Sequence, residues 1–311
     1  MRSLSSRLRR YLRYAKYRGQ RAVLARVPAS LLEPLAVAGE LTGALFSAKR
    51  RASGVVRAEP GPDLVDLAPR ETRRARTGRT LEHLIDRRIY FGRHVRGVEH
   101  WPDLQAVAAK LAQQIARLRQ THPGSPVIVS PFHYVSQYAN IYVIDELRAQ
   151  LELGSIAVVS GMPRNLYGND QAQIPGVNVL YTFDDDNRGG LGLRVVRSLK
   201  RNGVLVLFAD VPPFTMHRYP METVGVEMFG RGARIHHGVF RLGAPLNAWL
   251  LPFYLTFERG RFDAELFEPL PLAAPDAPQR VADCIATALR ANYGRWLAAG
   301  HPSLYAFAAS R

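Results

Sequence analysis

Two hydrophobic rhythms alternate along this chain from about residue 94 onward. Leu104, Val107, Ala108, Leu111, Ile115 and Leu118 recur at three- and four-residue steps, which predicts an amphipathic helix over Trp101–Arg119. The turn His122-Pro-Gly-Ser125 ends it. Apolar runs at Val127–Val129 and Val204–Phe208 read as buried strands, and Ile156–Val159 and Val177–Tyr181 as further strands, with helices expected between them at Tyr134–Leu151 and Leu191–Arg201. A helix over Thr80–Phe91 and a short strand at His94–Val98 are expected upstream. Downstream, Leu246–Phe257 and Arg261–Phe267 read as a hairpin turning at Arg259-Gly260, and Pro275–Ala298 reads as a long closing helix. Strands that alternate with helices predict an α/β fold: a mostly parallel central sheet flanked by helices. On this reading residues 51–311 form one α/β domain, and residues 1–50 form a separate membrane-associated helical segment.

Charge sharpens the reading of the N-terminus. The 311-residue chain carries a formal net charge of +16, which implies an anionic partner or surface. Residues 1–26 hold nine arginines and lysines and no acid, interleaved with Leu4, Leu8, Tyr11, Leu12, Tyr14 and Tyr17. That is the composition of a basic amphipathic helix lying on an anionic membrane surface; the alternative is a solvated basic helix. The following apolar stretch, Val27–Ala48, is interrupted by Pro28, Glu33, Pro34 and Glu40, short of the roughly 20 apolar residues a span needs. A second basic cluster, Arg70, Arg73, Arg74, Arg76 and Arg79, lies in a polar stretch. The single cysteine, Cys284, excludes an intrachain disulfide framework and sits in an amphipathic helix as a structural thiol. Nucleic-acid binding is permitted by charge, but no recognised motif supports it.

Candidate chemistry gathers after the strands. His133 closes the run Val127-Ile-Val-Ser-Pro-Phe-His133, where a strand gives way to a helix, and a histidine there can be an activated base or a satisfied structural residue. Asp210 ends the strand at Val204. Arg164, with Asn165 beside it, and Arg188 lie in loops after strands as anion clamps for substrate, and Arg231 is a further candidate; surface ion pairing with Asp184–Asp186 is the alternative for Arg164 and Arg188, and capping a turn the alternative for Arg231. His236-His237 lacks a third ligand at a recognised spacing, so no metal is expected. No Gly-x-Ser-x-Gly elbow and no nucleotide-binding glycine fingerprint occurs.

Four segments, in this order and covering the chain from about residue 20, give it a resemblance: Val98-Glu-His-Trp with Pro126-Val-Ile-Val-Ser-Pro-Phe-His133; Lys200-Arg-Asn-Gly-Val-Leu-Val-Leu-Phe-Ala-Asp210; Val226-Glu-Met-Phe-Gly-Arg-Gly-Ala233; and Leu242-Gly-Ala-Pro-Leu246 with Leu251-Pro-Phe. The chain resembles the lysophospholipid acyltransferase-like superfamily, in particular its lipid A late-acyltransferase branch. The resemblance implies a histidine base with an acidic residue five positions on and a small residue two positions on. Here those positions hold Tyr138 and Val135. Tyr138 can hydrogen-bond but carries no charge near neutral pH. Asp145 and Glu146 lie about 18 Å along the helix at ~1.5 Å per residue, which leaves Asp210 as the expected partner of His133. The implied activity is transfer of a fatty or related acyl group from acyl carrier protein or coenzyme A, as donor substrate and without further cofactor, to a hydroxyl or amine of a lipid, glycolipid or small-molecule acceptor. The implied place is the cytoplasmic face of a bacterial inner membrane. The alternative is a degenerate relative that binds lipid or carrier protein as a scaffold.

Overall fold

The computed structural model of the chain describes residues 11, 15, 17–60, 66–96, 101–160, 174, 176–181, 190–213, 222–300 and 305, the side chains of 94–96 excepted. The apolar runs form a seven-stranded sheet. In chain order its strands are β1 (Val127–Pro131), β2 (Ile156–Ser160), β3 (Val177–Tyr181), β4 (Val204–Leu207), β7 (Trp249–Glu258), β8 (Arg261–Leu266) and β9 (Leu270–Pro271). The spatial order is β3-β2-β4-β1-β7-β8, with β9 also on β7. Pairings from β3 through β7 are parallel; β8 and β9 add antiparallel edges. β1 is buried along its whole length, which is why it reads as a continuous apolar run. A separate hairpin joins β5 (Thr223–Met228) to β6 (Arg231–His236).

Eight α-helices can be numbered among the described residues: α1 (Leu32–Phe46), α2 (Ala48–Arg57), α3 (Pro69–Arg96), α4 (Pro102–Thr121), α5 (Gln137–Gln150), α6 (Leu191–Asn202), α7 (Gly238–Gly243) and α8 (Ala277–Asn292). In α4 the six apolar positions seen in the sequence are all buried, and Pro102 opens the helix where its missing N–H costs nothing. Gly203 ends α6 in the left-handed conformation (φ 67°) and bonds back to Leu199 O. Cys284 lies half-buried on α8, where burial pushes its thiol up to about 11.

Several boundaries differ from the sequence reading. The basic cluster Arg70–Arg79 is the first third of the 28-residue helix α3, not a polar stretch before it. His94–Arg96 is helix rather than strand, since Leu81, Ile85 and Ile89 continue one buried face at four-residue spacing. Tyr134–Ser136 is not helical: Tyr134 bridges antiparallel to Trp296, and α5 starts at Gln137. The closing helix stops at Asn292 and gives way to a 3-10 turn, Tyr293–Arg295.

That last segment locks the architecture. Buried Arg57, at the end of α2, spreads its guanidinium over three backbone carbonyls: Nε to Ala75 O, Nη1 to Leu297 O and Nη2 to Trp296 O, each at 3.1 Å. Burial, with a smaller push from the Arg79 charge, pulls this guanidinium below its ordinary range; the three carbonyls supply what water would have given it. Gly78 on α3 is the crossing point. A Cβ there would meet Arg57 Nη2 at 2.8 Å and Gly294 O at 3.0 Å. The N-terminal helices are tied in the same way. Leu32 and Ala36 of α1 are buried in the core that includes Leu81 and Ile85, and Glu33 pairs with Arg295 while accepting the Arg259 N–H at 2.8 Å.

The Arg259-Gly260 turn falls where the sequence placed it, with both residues at positive φ (51° and 81°), the pattern of a two-residue hairpin turn. Gly260 packs against the chain entering α1, and a Cβ would sit 2.3 Å from Ser30 N. Gly260→Ala therefore forces the hairpin and the start of α1 apart. We expect a loss of about 2–4 kcal/mol in urea unfolding, from left-handed strain plus a backbone clash; Gly124→Ala, which meets nothing within 4 Å, should cost the strain alone.

Candidate active site

The strand order creates a switch point between β1 and β4. The chain leaves β1 through α5 toward β2, on one side, and leaves β4 toward β7, on the other. In parallel sheets of this kind functional groups gather beyond the carboxyl ends of the strands. His133 follows β1 and Asp210 follows β4, so both arrive there.

They meet directly. One oxygen of Asp210 accepts the His133 backbone N–H at 2.7 Å, and the other lies 2.8 Å from His133 Nδ1. The Asp210 side chain is 1% exposed and that of His133 24%. An ionised carboxylate can only accept, so Nδ1 carries the proton and Nε2 is left as the basic nitrogen. His133 Nε2 makes no hydrogen bond among the described residues. The carboxylate is framed by its own strand ends: Ala209 N–H donates to Ser130 Oγ at 3.0 Å, and Tyr305 donates its hydroxyl to Asp210 O at 2.6 Å. The Phe208 ring covers the imidazole, centroids 4.5 Å apart.

The loop that carries His133 is held from behind. Leu297 N–H donates to His133 O and Val135 N–H to Arg295 O, each at 2.8 Å. Val135 takes φ 66°, a left-handed conformation that costs a β-branched residue of the order of 1–3 kcal/mol. This is the position where the resemblance implies a small residue, and the geometry supplies the reason: the chain must turn sharply between β1 and α5. Valine survives there because its N–H is bonded and its side chain is buried.

Tyr138, the residue at the expected acidic position, makes no hydrogen bond to His133. Its ring packs edge-on against Tyr90 of α3, centroids 6.1 Å apart, and burial raises its hydroxyl pKa. Its backbone N–H instead bonds Asp86 Oδ1 at 3.3 Å, and Ser136 Oγ donates to the same oxygen at 2.5 Å. Ser136 in turn caps α5 by accepting the Ala139 N–H at 2.9 Å. A carboxylate from α3 thus reaches the start of α5 although none lies on α5's first turn. One turn earlier on α3 stands Glu82. Burial and then the neighbouring Asp86 charge push its carboxyl up to about 7, against the opposing pull of Arg57 and His133. Gly78, Glu82 and Asp86 follow at four-residue spacing, so they share the face turned to the site. The sequence reading passed over both acids. Their four-residue spacing was the available signal, but nothing local linked α3 to His133.

Arg231 starts β6 at the turn of the β5–β6 hairpin, where Phe229 stacks under Arg290 of α8 (4.8 Å). Arg164, Asn165 and Arg188 lie outside the described residues, as does Asp184–Asp186. His236 and His237 face different surroundings: burial pulls His236 down to about 4, while His237 Nδ1 lies 3.5 Å from Glu222. No group of three or more metal-ligating side chains occurs among the described residues. No family model matches this chain, and no curated protein matches it.

Glu82 generates a pH test. Its folded pKa of about 7 exceeds the ordinary 4.5, so the fold holds the extra proton between those values. The stabilisation is complete below pH 4.5 and is lost as pH rises through 7. Glu82→Gln removes that slope. Relative to the parent it should gain on the order of 2 kcal/mol between pH 5 and pH 8 in urea unfolding; parallel slopes for the two proteins would assign the titration elsewhere.

Proposed function

We propose that the protein is an acyltransferase of the lysophospholipid acyltransferase-like kind, with His133 as its general base. The observation that carries this is the Asp210 carboxylate, which grips both the backbone and the ring of His133 and fixes one tautomer. His133 Nε2 takes the proton from an acceptor hydroxyl or amine as that atom attacks the carbonyl carbon of an acyl thioester. The tetrahedral oxyanion collapses, the C–S bond breaks, and the imidazolium returns the proton to the departing thiolate. Asp210 stabilises the imidazolium between these steps without accepting its proton. Ionised Glu82, electrostatically coupled to His133, favours the same charged intermediate. Covalent catalysis through Cys284 has no support, since burial raises its thiol pKa to about 11.

The membrane surface is the proposed place of action. Ala29–Phe46 is apolar and long enough to cross a bilayer by length and composition, with 11% of it buried. It lies along α3 with Leu35, Leu41, Leu45 and Phe46 exposed, which fits a helix resting in the interface better than one detached from the body. The high positive charge suits anionic lipid and an acidic carrier protein as donor. The scaffold reading loses its main argument, because a carboxylate reaches His133 despite Tyr138.

The test is comparative mass spectrometry of lipids and metabolites from a parent strain, a deletion strain and the deletion complemented with variants. An acylated species should vanish on deletion, remain absent with His133→Ala, and identify the acyl group by its mass. Its return with His133→Ala would remove the base assignment. With purified protein, Asp210→Asn should lower kcat by about a hundredfold to ten-thousandfold through the wrong tautomer, whereas Tyr138→Phe should stay within about twofold of the parent.

A further inference from the structure

A second site lies behind the His133 loop. A cavity of about 460 Å³ opens between α1, α3 and the β7–β8 turn. Five arginines line it: Arg70, Arg73, Arg74, Arg259 and Arg295. Arg295 forms the floor, its side chain 4% exposed, with Nε bonded to nothing. Burial pulls this guanidinium down to about 10 even with Glu33 beside it. A buried guanidinium beneath a cavity that four further arginines line makes that space favourable for an anion.

The neighbouring acids are already occupied. Glu33 holds Arg295 and the Arg259 N–H. Glu71 and Glu258 hold Arg74, and Glu258 also holds Arg70. Arg73 and the side chain of Arg259 have no ion pair among the described residues, and both are exposed at the mouth. The cavity therefore offers the two unpaired guanidinium forks of Arg73 and Arg259, with the buried charge of Arg295 beneath them. Such convergence suits the several oxygens of a phosphate group better than the two of a carboxylate.

The opposite wall is apolar. Pro34, Ala36 and Val37 of α1 line it, and the same helix exposes Leu35, Leu41, Leu45 and Phe46 to the outside. We propose that this cavity binds the phosphate of an anionic phospholipid, with the acyl chains running along the exposed side of α1. The inference rests on the membrane-surface part of the proposed function and is independent of the chemistry at His133. Because Arg295 O also holds the Val135 N–H, the lipid would sit one residue's backbone away from the loop that carries the base.

The test uses the full-length His133→Ala protein, so that turnover cannot interfere. Its binding to three soluble probes is measured by titration calorimetry at physiological salt: dihexanoyl phosphatidic acid, dihexanoyl phosphatidylcholine and glycerol 3-phosphate. The phosphatidic acid should bind at least about tenfold more tightly than either other probe. Arg73→Ala combined with Arg259→Asn, the asparagine chosen because it tolerates left-handed backbone, should weaken it by about tenfold or more. Arg117→Ala combined with Arg119→Ala, on α4, should leave it unchanged. Equal binding by the Arg73/Arg259 variant, or absence of binding by the parent, overturns the site. Equal affinity for glycerol 3-phosphate overturns the lipid assignment and leaves a soluble phosphate ligand. Equal weakening by the α4 pair overturns the cavity in favour of diffuse charge. None of these outcomes depends on acyl transfer, which the strain comparison tests separately.

Discussion

One buried carboxylate joins the ends of two neighbouring strands. Asp210 sits at the end of β4 with 1% of its side chain exposed and spends both oxygens on His133 at the end of β1. A lone carboxylate at that depth would be strongly unfavourable; two short hydrogen bonds to one residue make its burial tolerable. The same bonds leave the imidazole with one orientation and one basic nitrogen. The contact that closes the top of the sheet therefore also orients the candidate base.

The contact survives because its surroundings are fixed on every side. The Ala209 N–H to Ser130 Oγ bond sets the spacing of the two strand ends, and the Tyr305 hydroxyl holds the Asp210 carbonyl. Behind the His133 loop, the 293–297 segment takes up the His133 carbonyl and the Val135 N–H. Arg57 fastens that segment to α2 and α3 through three carbonyls. This rigidity accounts for a valine held at positive φ beside the candidate base, since a looser loop would relax it.

Acidic residues on α3 give the site a second layer. Asp86 receives both Ser136 and the Tyr138 N–H, so it meets the positive end of α5. Glu82 lies between Asp86, Arg57 and His133 in the electrostatic balance. Carboxylates from β4 and α3 thus reach the His133–Ser136 loop, while the +5 position holds a tyrosine. Arg295 of the same 293–297 segment lines the arginine cavity, so the candidate base and the proposed lipid seat share one structural wall.

The sequence by itself determined the α/β class, the helix α4, the strands β1 to β4 and the Arg259-Gly260 turn. These follow from local rules: periodic burial, β-rich apolar runs and backbone preferences at a tight hairpin. It also placed His133 and Asp210 at strand ends, the positions where α/β sheets do chemistry. The full length of α3 was hidden because a run of arginines hides an apolar face of only a few residues, which α1 and the core complete. The sequence named Asp210 as the expected partner of His133, but the contact itself across 77 residues, the strand order that makes it, and the presence of Glu82 and Asp86 at the site were decided by tertiary structure. Pairing between distant strands and packing of one helix against another leave no periodic trace in either partner. Arg295 at the floor of the cavity is the clearest case: nothing in its neighbours along the chain marks it as buried, and only the approach of α1, α3 and the β7–β8 turn removes it from water.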